Sequence, residues 1–150
     1  MRRLTQGYNQ AFETMADTAT LWRALVEPAS LALWCASEAE VEPRRGGRYR
    51  LVSPLFGRRE AHIERFEPGV RLRLLFDANP DWPPLTEGAL VEDFIIDERN
   101  GQRVLRVMGA GLPAAPEWAP ILRRLRAGWA VAFARLQTRL RAGDIGAQPS

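Results

Sequence analysis

Lysine is absent from this 150-residue chain; all 21 basic residues are arginine. A lysine Schiff base and a Walker-type phosphate loop are excluded with it, because both need the ε-ammonium group. Cysteine is reduced to Cys35, so no internal disulfide can form. No activating partner lies near Cys35 in the chain, and it is expected to be a packed structural thiol. Histidine also occurs once, as His62, which leaves neither a Ser-His-Asp triad nor a His-rich metal site enough parts. No apolar run approaches the roughly 20 residues of a membrane span. The start, MRRLTQGYNQAF, lacks the apolar segment and cleavage site of a secretory signal. The expectations that follow are no metal, no cofactor, no membrane and a cytoplasmic location.

Concentrated charge is missing as well. The net charge is only +3, and the arginines are interleaved with Asp and Glu in every segment. Nucleic-acid binding shows itself as a basic stripe or a known module. Neither is present, so no nucleic-acid partner is expected and the arginines read as a solvated surface. A hydrophobic content of 46% with 26% charged residues is an ordinary globular balance. The length fits one domain, 1–150, with its core over about 8–142.

What the chain does have is a long amphipathic segment, Glu117 to Ala142. Trp118, Ile121, Leu122, Leu125, Trp129, Ala132, Phe133, Leu136 and Leu140 recur at spacings of three and four, one stripe of a helix. Pro116 and Pro120 suit its first turn and Gly143 its stop. A stripe with two tryptophans and a phenylalanine needs a large partner surface, which the upstream strands can supply.

Taken in order, Gly7–Ala16 alternates as a strand with Tyr8, Gln10, Phe12 and Thr14 on one side. Asp17 or Thr18 then caps a short helix carrying Leu21, Trp22, Leu25 and Val26, and a second short helix covers Ala29–Trp34. Strands are expected at Glu38–Glu42, Arg48–Val52, Glu60–Glu67, Arg71–Phe76, Leu90–Asp97 and Gln102–Gly109, separated by Pro, Gly and Asn-Gly turns. Between them Asp77–Gly88 forms a long, proline-rich loop, with Trp82 as a candidate lid. Strands followed by a terminal helix argue an α+β class: a curved antiparallel sheet of about six or seven strands gripping the long helix, with a concave, mostly apolar interior.

Five motifs carry a resemblance. Leu21-Trp22-Arg23-Ala24-Leu25 with Pro28, then Leu31 and Trp34, form the first two. Arg45-Gly46-Gly47-Arg48-Tyr49-Arg50, Glu67-Pro68 with Leu72, and Gly128-Trp129 with Leu136 and Leu140 complete the set. In this order they resemble the START-like, or SRPBCC, superfamily, and within it the branch of the activators of heat-shock protein 90 ATPase. The resemblance implies a helix-grip (START-like, Bet v-like) fold. Gly69 stands where the family's turn has a second proline, the Asp77–Gly88 loop is unusually proline-rich, and the hairpin after Gly101 lacks a common Thr. Members of the family vary in task, as ligand carriers, cyclase-like enzymes and co-chaperone domains.

Strand parity supplies the candidate site. Trp34, Tyr49, Leu51, Ile63, Leu74 and Phe76 are expected to line the interior from the helix pair and the first half of the sheet. Glu92, Phe94, Val107, Trp118, Trp129 and Phe133 line it from the second half and the long helix. Tyr49, Thr14 and Ser53 are inward polar groups that could orient a ligand. Glu92 shares the parity of Phe94 and Ile96, so it either orients a polar group or acts as a general acid or base from a desolvated position, or else it lies near the sheet edge and reaches water, or pairs with an arginine. His62 falls on the wet face. The leading reading is non-enzymatic binding of a small hydrophobic or amphipathic molecule between the long helix and the sheet. The alternatives are a chaperone-like protein interaction through Arg48, Arg50, Arg71 and Arg73, and a cyclase- or hydrolase-like enzyme using Glu92 and Tyr49. A homodimer is compatible with each.

Overall fold

The structure is a computed structural model that describes residues 5–85 and 88–145. Strand β1 (Thr5–Thr14) is followed by helices α1 (Thr18–Val26) and α2 (Pro28–Trp34). Strands β2 (Glu38–Val41), β3 (Arg48–Ser53), β4 (Gly57–Glu67), β5 (Arg71–Phe76), β6 (Val91–Arg99) and β7 (Gln102–Pro113) come next. A single 3-10 turn (Pro116–Trp118) then leads into helix α3 (Ala119–Ala142). All seven strands form one sheet in the order β1-β7-β6-β5-β4-β3-β2, antiparallel throughout. This is the helix-grip architecture expected from the sequence.

Local chemistry fixes the joints. The Asp17 side chain accepts from the Thr20 amide at 2.8 Å and so caps α1. The end of α1 has no glycine; instead the Trp34 indole donates to the Ala24 carbonyl (3.0 Å) and the Tyr49 hydroxyl to that of Leu25 (2.6 Å). Two of the carbonyls left open at a helix end are thereby satisfied from α2 and β3. Gly143, with φ of 75°, ends α3 as expected.

Several boundaries differ from the sequence expectation. The long helix does not begin at Glu117: Trp118 sits in the 3-10 turn and α3 starts at Ala119, with Pro120 in a first turn that needs no amide donor. Strand β4 begins three residues early, at Gly57. The β3–β4 turn is tighter than expected because the Ser53 hydroxyl accepts from the amides of Leu55 and Phe56, which holds Leu51 opposite Arg59. Strand β7 runs on past Gly109 to Pro113, paired with β1 across a bulge in which Ala110 and Gly111 face Gly7. Met15, expected in β1, lies beyond its end and is exposed. Thr86 and Glu87 of the Asp77–Gly88 loop lie outside the described residues.

The concave face of the sheet and the inner stripe of α3 meet in one core. Phe133 is central to it: its ring lies 5.0 Å from Phe12, 5.5 Å from Trp129 and 6.2 Å from Trp34, centroid to centroid. It is 1% exposed. Gly128 is the one gap in the helix stripe. A Cβ there would lie 2.4 Å from Cε1 of Phe56, so the glycine is what lets that ring seat against α3.

Phe133→Ala is expected to cost about 3–5 kcal/mol, the range for an aromatic lost from a close-packed interior. Urea unfolding of the variant measures it. A loss under about 1 kcal/mol would mean the core around Phe133 is loosely packed.

Candidate functional site

Four elements bring polar side chains to one point inside this core. Glu92 of β6 is fully buried. Its Oε2 accepts from the Arg59 guanidinium at 2.7 Å, from the Trp129 indole at 3.1 Å and from the Tyr8 hydroxyl. Three donors on one oxygen is the arrangement of a carboxylate acceptor.

The sheet register explains how side chains from β1, β4 and α3 reach it. Tyr8, Gly109 and Glu92 lie in one transverse row across β1, β7 and β6. The Tyr8 ring crosses directly over Gly109, where a Cβ would fall 2.1 Å from Cζ, and only a glycine at that place leaves the path to Glu92 open. Arg59 shares the inward parity of Ala61 and Ile63 in β4. Its guanidinium is walled by the rings of Phe76 (4.5 Å), Phe56 (4.9 Å) and Trp129 (5.7 Å), a desolvated cation–π environment. Arg59 is 4% exposed.

Charge and burial set the protonation states. Burial works to lower the Arg59 pKa, while the Glu92 and Tyr8 charges and the Glu92 hydrogen bond raise it; the net shift is upward, so Arg59 stays a cation. Burial first, and the Glu92 charge second, push the Tyr8 phenol well above its ordinary value. Tyr49 is pushed up in the same way, mainly by burial, and burial likewise raises the Cys35 thiol, which keeps it inert.

One need is left unmet. Among the described residues no hydrogen-bond partner reaches Nε of Arg59 or Oε1 of Glu92. One is a donor and the other an acceptor, both in a desolvated interior where unsatisfied polar atoms are costly. Beside Arg59 the wall opens into a notch of about 20 Å³ lined by Arg58, Glu60, Phe76, Pro80, Trp82 and Leu85. That is room for about one water molecule. Trp82 closes the notch, half-buried and edge-on to Trp118 at 5.9 Å. Asn79 ties this part of the loop to β4 by donating to the Arg58 carbonyl at 3.1 Å.

The residues expected to line the interior are all buried: Trp34, Tyr49, Leu51, Ile63, Leu74, Phe76, Glu92, Phe94, Val107, Trp118, Trp129 and Phe133. They do not all meet at the polar cluster. Trp129 bonds to Glu92, Phe76 walls Arg59, and Phe94 stacks edge-on to Trp129 at 5.4 Å. Glu92 lies in the interior and pairs with an arginine, rather than reaching water at a sheet edge. Tyr49 and Glu92 are not hydrogen-bonded to each other, because the Tyr49 hydroxyl is held by Leu25. Ser53 and Thr14 serve local turns, accepting from the amides of Leu55 and Phe56 and of Ala16. His62 lies on the wet face as expected, 3.1 Å from Asp77.

Sequence reasoning missed Arg59, Tyr8 and Phe56 as site residues. Starting β4 at Glu60 left Arg59 in a turn, and its inward parity went unread. The arginine expectation also needs correcting at this position: all 21 arginines on a solvated surface would leave no counter-charge for Glu92, and Arg59 is buried with it, 2.7 Å away. The outer face is instead a lattice of pairs. Arg50 faces Glu40 and Glu60 at 3.7 and 3.4 Å, Arg71 faces Asp93 at 2.9 Å, and Arg73 faces Asp93 and Glu64, each at 3.4 Å. Of the four arginines expected to form a partner surface, only Arg48 lacks a carboxylate partner among the described residues. Among the described residues no group of three or more His, Cys, Asp and Glu side chains could hold a metal ion, and no helix is long and apolar enough to cross a membrane.

Residues 15–141 match the family described as Activator of Hsp90 ATPase homolog 1-like protein. No curated protein matches the chain. Among solved structures, a Mesorhizobium loti protein is 20% identical, with a TM-score of 0.74 over 92% of this chain and 100% of that one. The Aha1 dimer from Colwellia psychrerythraea is 14% identical, with a TM-score of 0.77 over 92% and 98%. An HSP90 activator from Plasmodium falciparum is 17% identical, with a TM-score of 0.71 over 91% and 96%. At these identities the structures establish the common fold.

Two outcomes are expected of the cluster. Glu92→Leu should destabilise the fold by about 3–5 kcal/mol, since it leaves a buried arginine uncompensated, whereas Arg59→Met combined with Glu92→Leu should recover most of that loss. Urea unfolding of both variants tests this; a double variant as unstable as the single one would show that the pair itself holds the fold. Tyr8 and Tyr49 are the only tyrosines, and both have folded pKa values raised above 10.0. Their contribution to stability is therefore complete below pH 10 and declines as the pH rises further, when the unfolded chain ionises first. The folded protein should show no phenolate absorbance near pH 10; a reversible midpoint there with the fold intact would refute the burial argument.

Proposed function

The chain belongs to the Activator of Hsp90 ATPase homolog 1-like family, and from that membership we propose that it is a non-enzymatic binding domain for a small amphipathic molecule. The ligand enters beneath Trp82 and Leu85, displaces them from Phe76, and places its polar end on Arg59 and Glu92. The observation that carries this reading is the pair of unpartnered polar atoms, Arg59 Nε and Glu92 Oε1, in one buried ion pair whose arginine lines a notch walled by Phe76 and Trp82. A pocket that is mostly apolar with a few convergent polar groups is the usual form of a small-molecule site. A buried ion pair is weak support for stability by itself, which leaves a recognition role as the better account of why this one is kept.

The notch as it stands admits about a water, so binding requires the loop side chains over Asp77–Leu85 to move. The ties to β4 lie at the start of this stretch, where Asp77 meets His62 at 3.1 Å and its amide donates to the Glu60 carbonyl, and Asn79 donates to that of Arg58, whereas Trp82 and Leu85 beyond them are half-buried. The enzymatic reading has less support, because Tyr49 and Glu92 are engaged with different partners. The protein-interaction reading through the sheet's outer arginines also has less, since most of that charge is neutralised by adjacent carboxylates.

Native mass spectrometry of the purified protein should reveal a bound small molecule that is lost on denaturation, or the protein should bind the neutral probe N-phenyl-1-naphthylamine. In the Arg59→Met, Glu92→Leu double variant the retained small molecule should be absent. A bare chain mass together with no probe binding would sink the proposal.

A further inference from the structure

The head group of the ligand is constrained by what the cluster has already spent. This inference rests on the ligand-binding reading above and narrows it. Arg59 and Glu92 neutralise each other at 2.7 Å, so the buried centre has no net charge to offer. Tyr8 and Trp129 both direct their hydrogens at Glu92 Oε2. An indole has no second donor and a neutral phenol has only one. What is left without a partner among the described residues is Nε of Arg59, a donor asking for an acceptor, and Oε1 of Glu92, an acceptor asking for a donor.

We propose that the site selects a neutral head group bearing both a hydrogen-bond donor and an acceptor, such as a hydroxyl or a primary amide, on a planar aromatic body, and rejects carboxylates. An anion placed here would face the Glu92 carboxylate without a free cation to balance it, in a setting where Tyr8, Trp129 and the surrounding rings exclude water. A cation would meet Arg59 in the same way. A purely apolar head would leave both polar atoms unsatisfied, the situation that recognition sites use to discriminate against ligands lacking a group. Planarity follows from the walls, because the notch beside Arg59 is lined by the rings of Phe76 and Trp82.

Four probes of one shape separate the possibilities: naphthalene, 2-naphthol, 2-naphthamide and 2-naphthoate, titrated against the intact protein at neutral pH by tryptophan fluorescence. 2-Naphthol and 2-naphthamide should bind at least about tenfold more tightly than naphthalene and 2-naphthoate. 2-Naphthoate binding as tightly as 2-naphthol would overturn the charge selection while leaving an aromatic pocket in place. Equal binding of all four would overturn any role for the head group, and again leave the pocket. Binding of none would overturn the ligand site itself, and the inference with it. In Glu92→Gln, which frees the Arg59 charge, the order should reverse in favour of 2-naphthoate; the wild-type comparison decides the matter even if that variant does not fold.

Discussion

Glu92 Oε2 is where the sheet and the helix are joined, inside the core, by something other than apolar contact. Bringing a carboxylate and a guanidinium out of water is costly unless each is well paired, and the surrounding chain is arranged to meet that condition. Trp129 turns its indole nitrogen inward from α3, Tyr8 crosses a neighbouring strand, and three aromatic rings enclose the Arg59 cation. Two glycines are determined by the same requirement. Gly109 leaves room for the Tyr8 ring, and Gly128 leaves room for Phe56, the ring that covers Arg59 on its outer side. Neither is in a tight turn. Each is small because a larger side chain would move an aromatic group off the cluster.

Most of the architecture was legible in the sequence. Period-two alternation in Arg48–Val52 and Arg71–Phe76, and the three-and-four spacing after Ala119, are strong signals because one face of each element is wet and the other dry. Parity also put Glu92, Phe94 and Ile96 on the inner face, as observed. The polar centre was only half legible. Glu92 could be seen to point inward, but its partner is 33 residues away, and an arginine in an arginine-rich chain looks like surface. The register of the β3–β4 turn decides the matter, and that register depends on the Ser53 hydroxyl, which no periodicity reveals. Tyr8 was readable as inward but not as a donor to Glu92, because that contact needs the β1–β7–β6 order and the small residue at 109.

The two faces of the sheet handle charge differently. On the outer face carboxylates and guanidiniums lie 2.9 to 3.7 Å apart in groups centred on Arg50 and Asp93. Solvent screens the exposed pairs of Arg50, which contribute little to stability, while Asp93 is itself buried between Arg71 and Arg73; together these pairs neutralise most of the charge on that surface. On the inner face, among the described residues, one ion pair is buried and unscreened, with Tyr8 and Trp129 committed to it. An identical pair of residue types thus serves as surface neutralisation on one side and as a fixed polar landmark in an apolar interior on the other.

The pairing of β1 with β7 has a bearing on how the chain comes to be folded. Thr5 lies opposite Pro113, so among the described strands of the sheet the first in sequence is hydrogen-bonded to the last and to none of those between. During synthesis β2 to β6 can assemble as successive hairpins, since each neighbour in the sheet is also the neighbour in sequence. Strand β1 has no partner until β7 emerges, and such distant pairings are slow because the intervening loop must be closed first. Tyr8 therefore reaches Glu92 late, after Gly109 has been laid between them. Until then the Arg59–Glu92 pair lacks the Tyr8 donor, and also that of Trp129, which lies later still in the chain, so the completion of the polar centre falls at the end of folding.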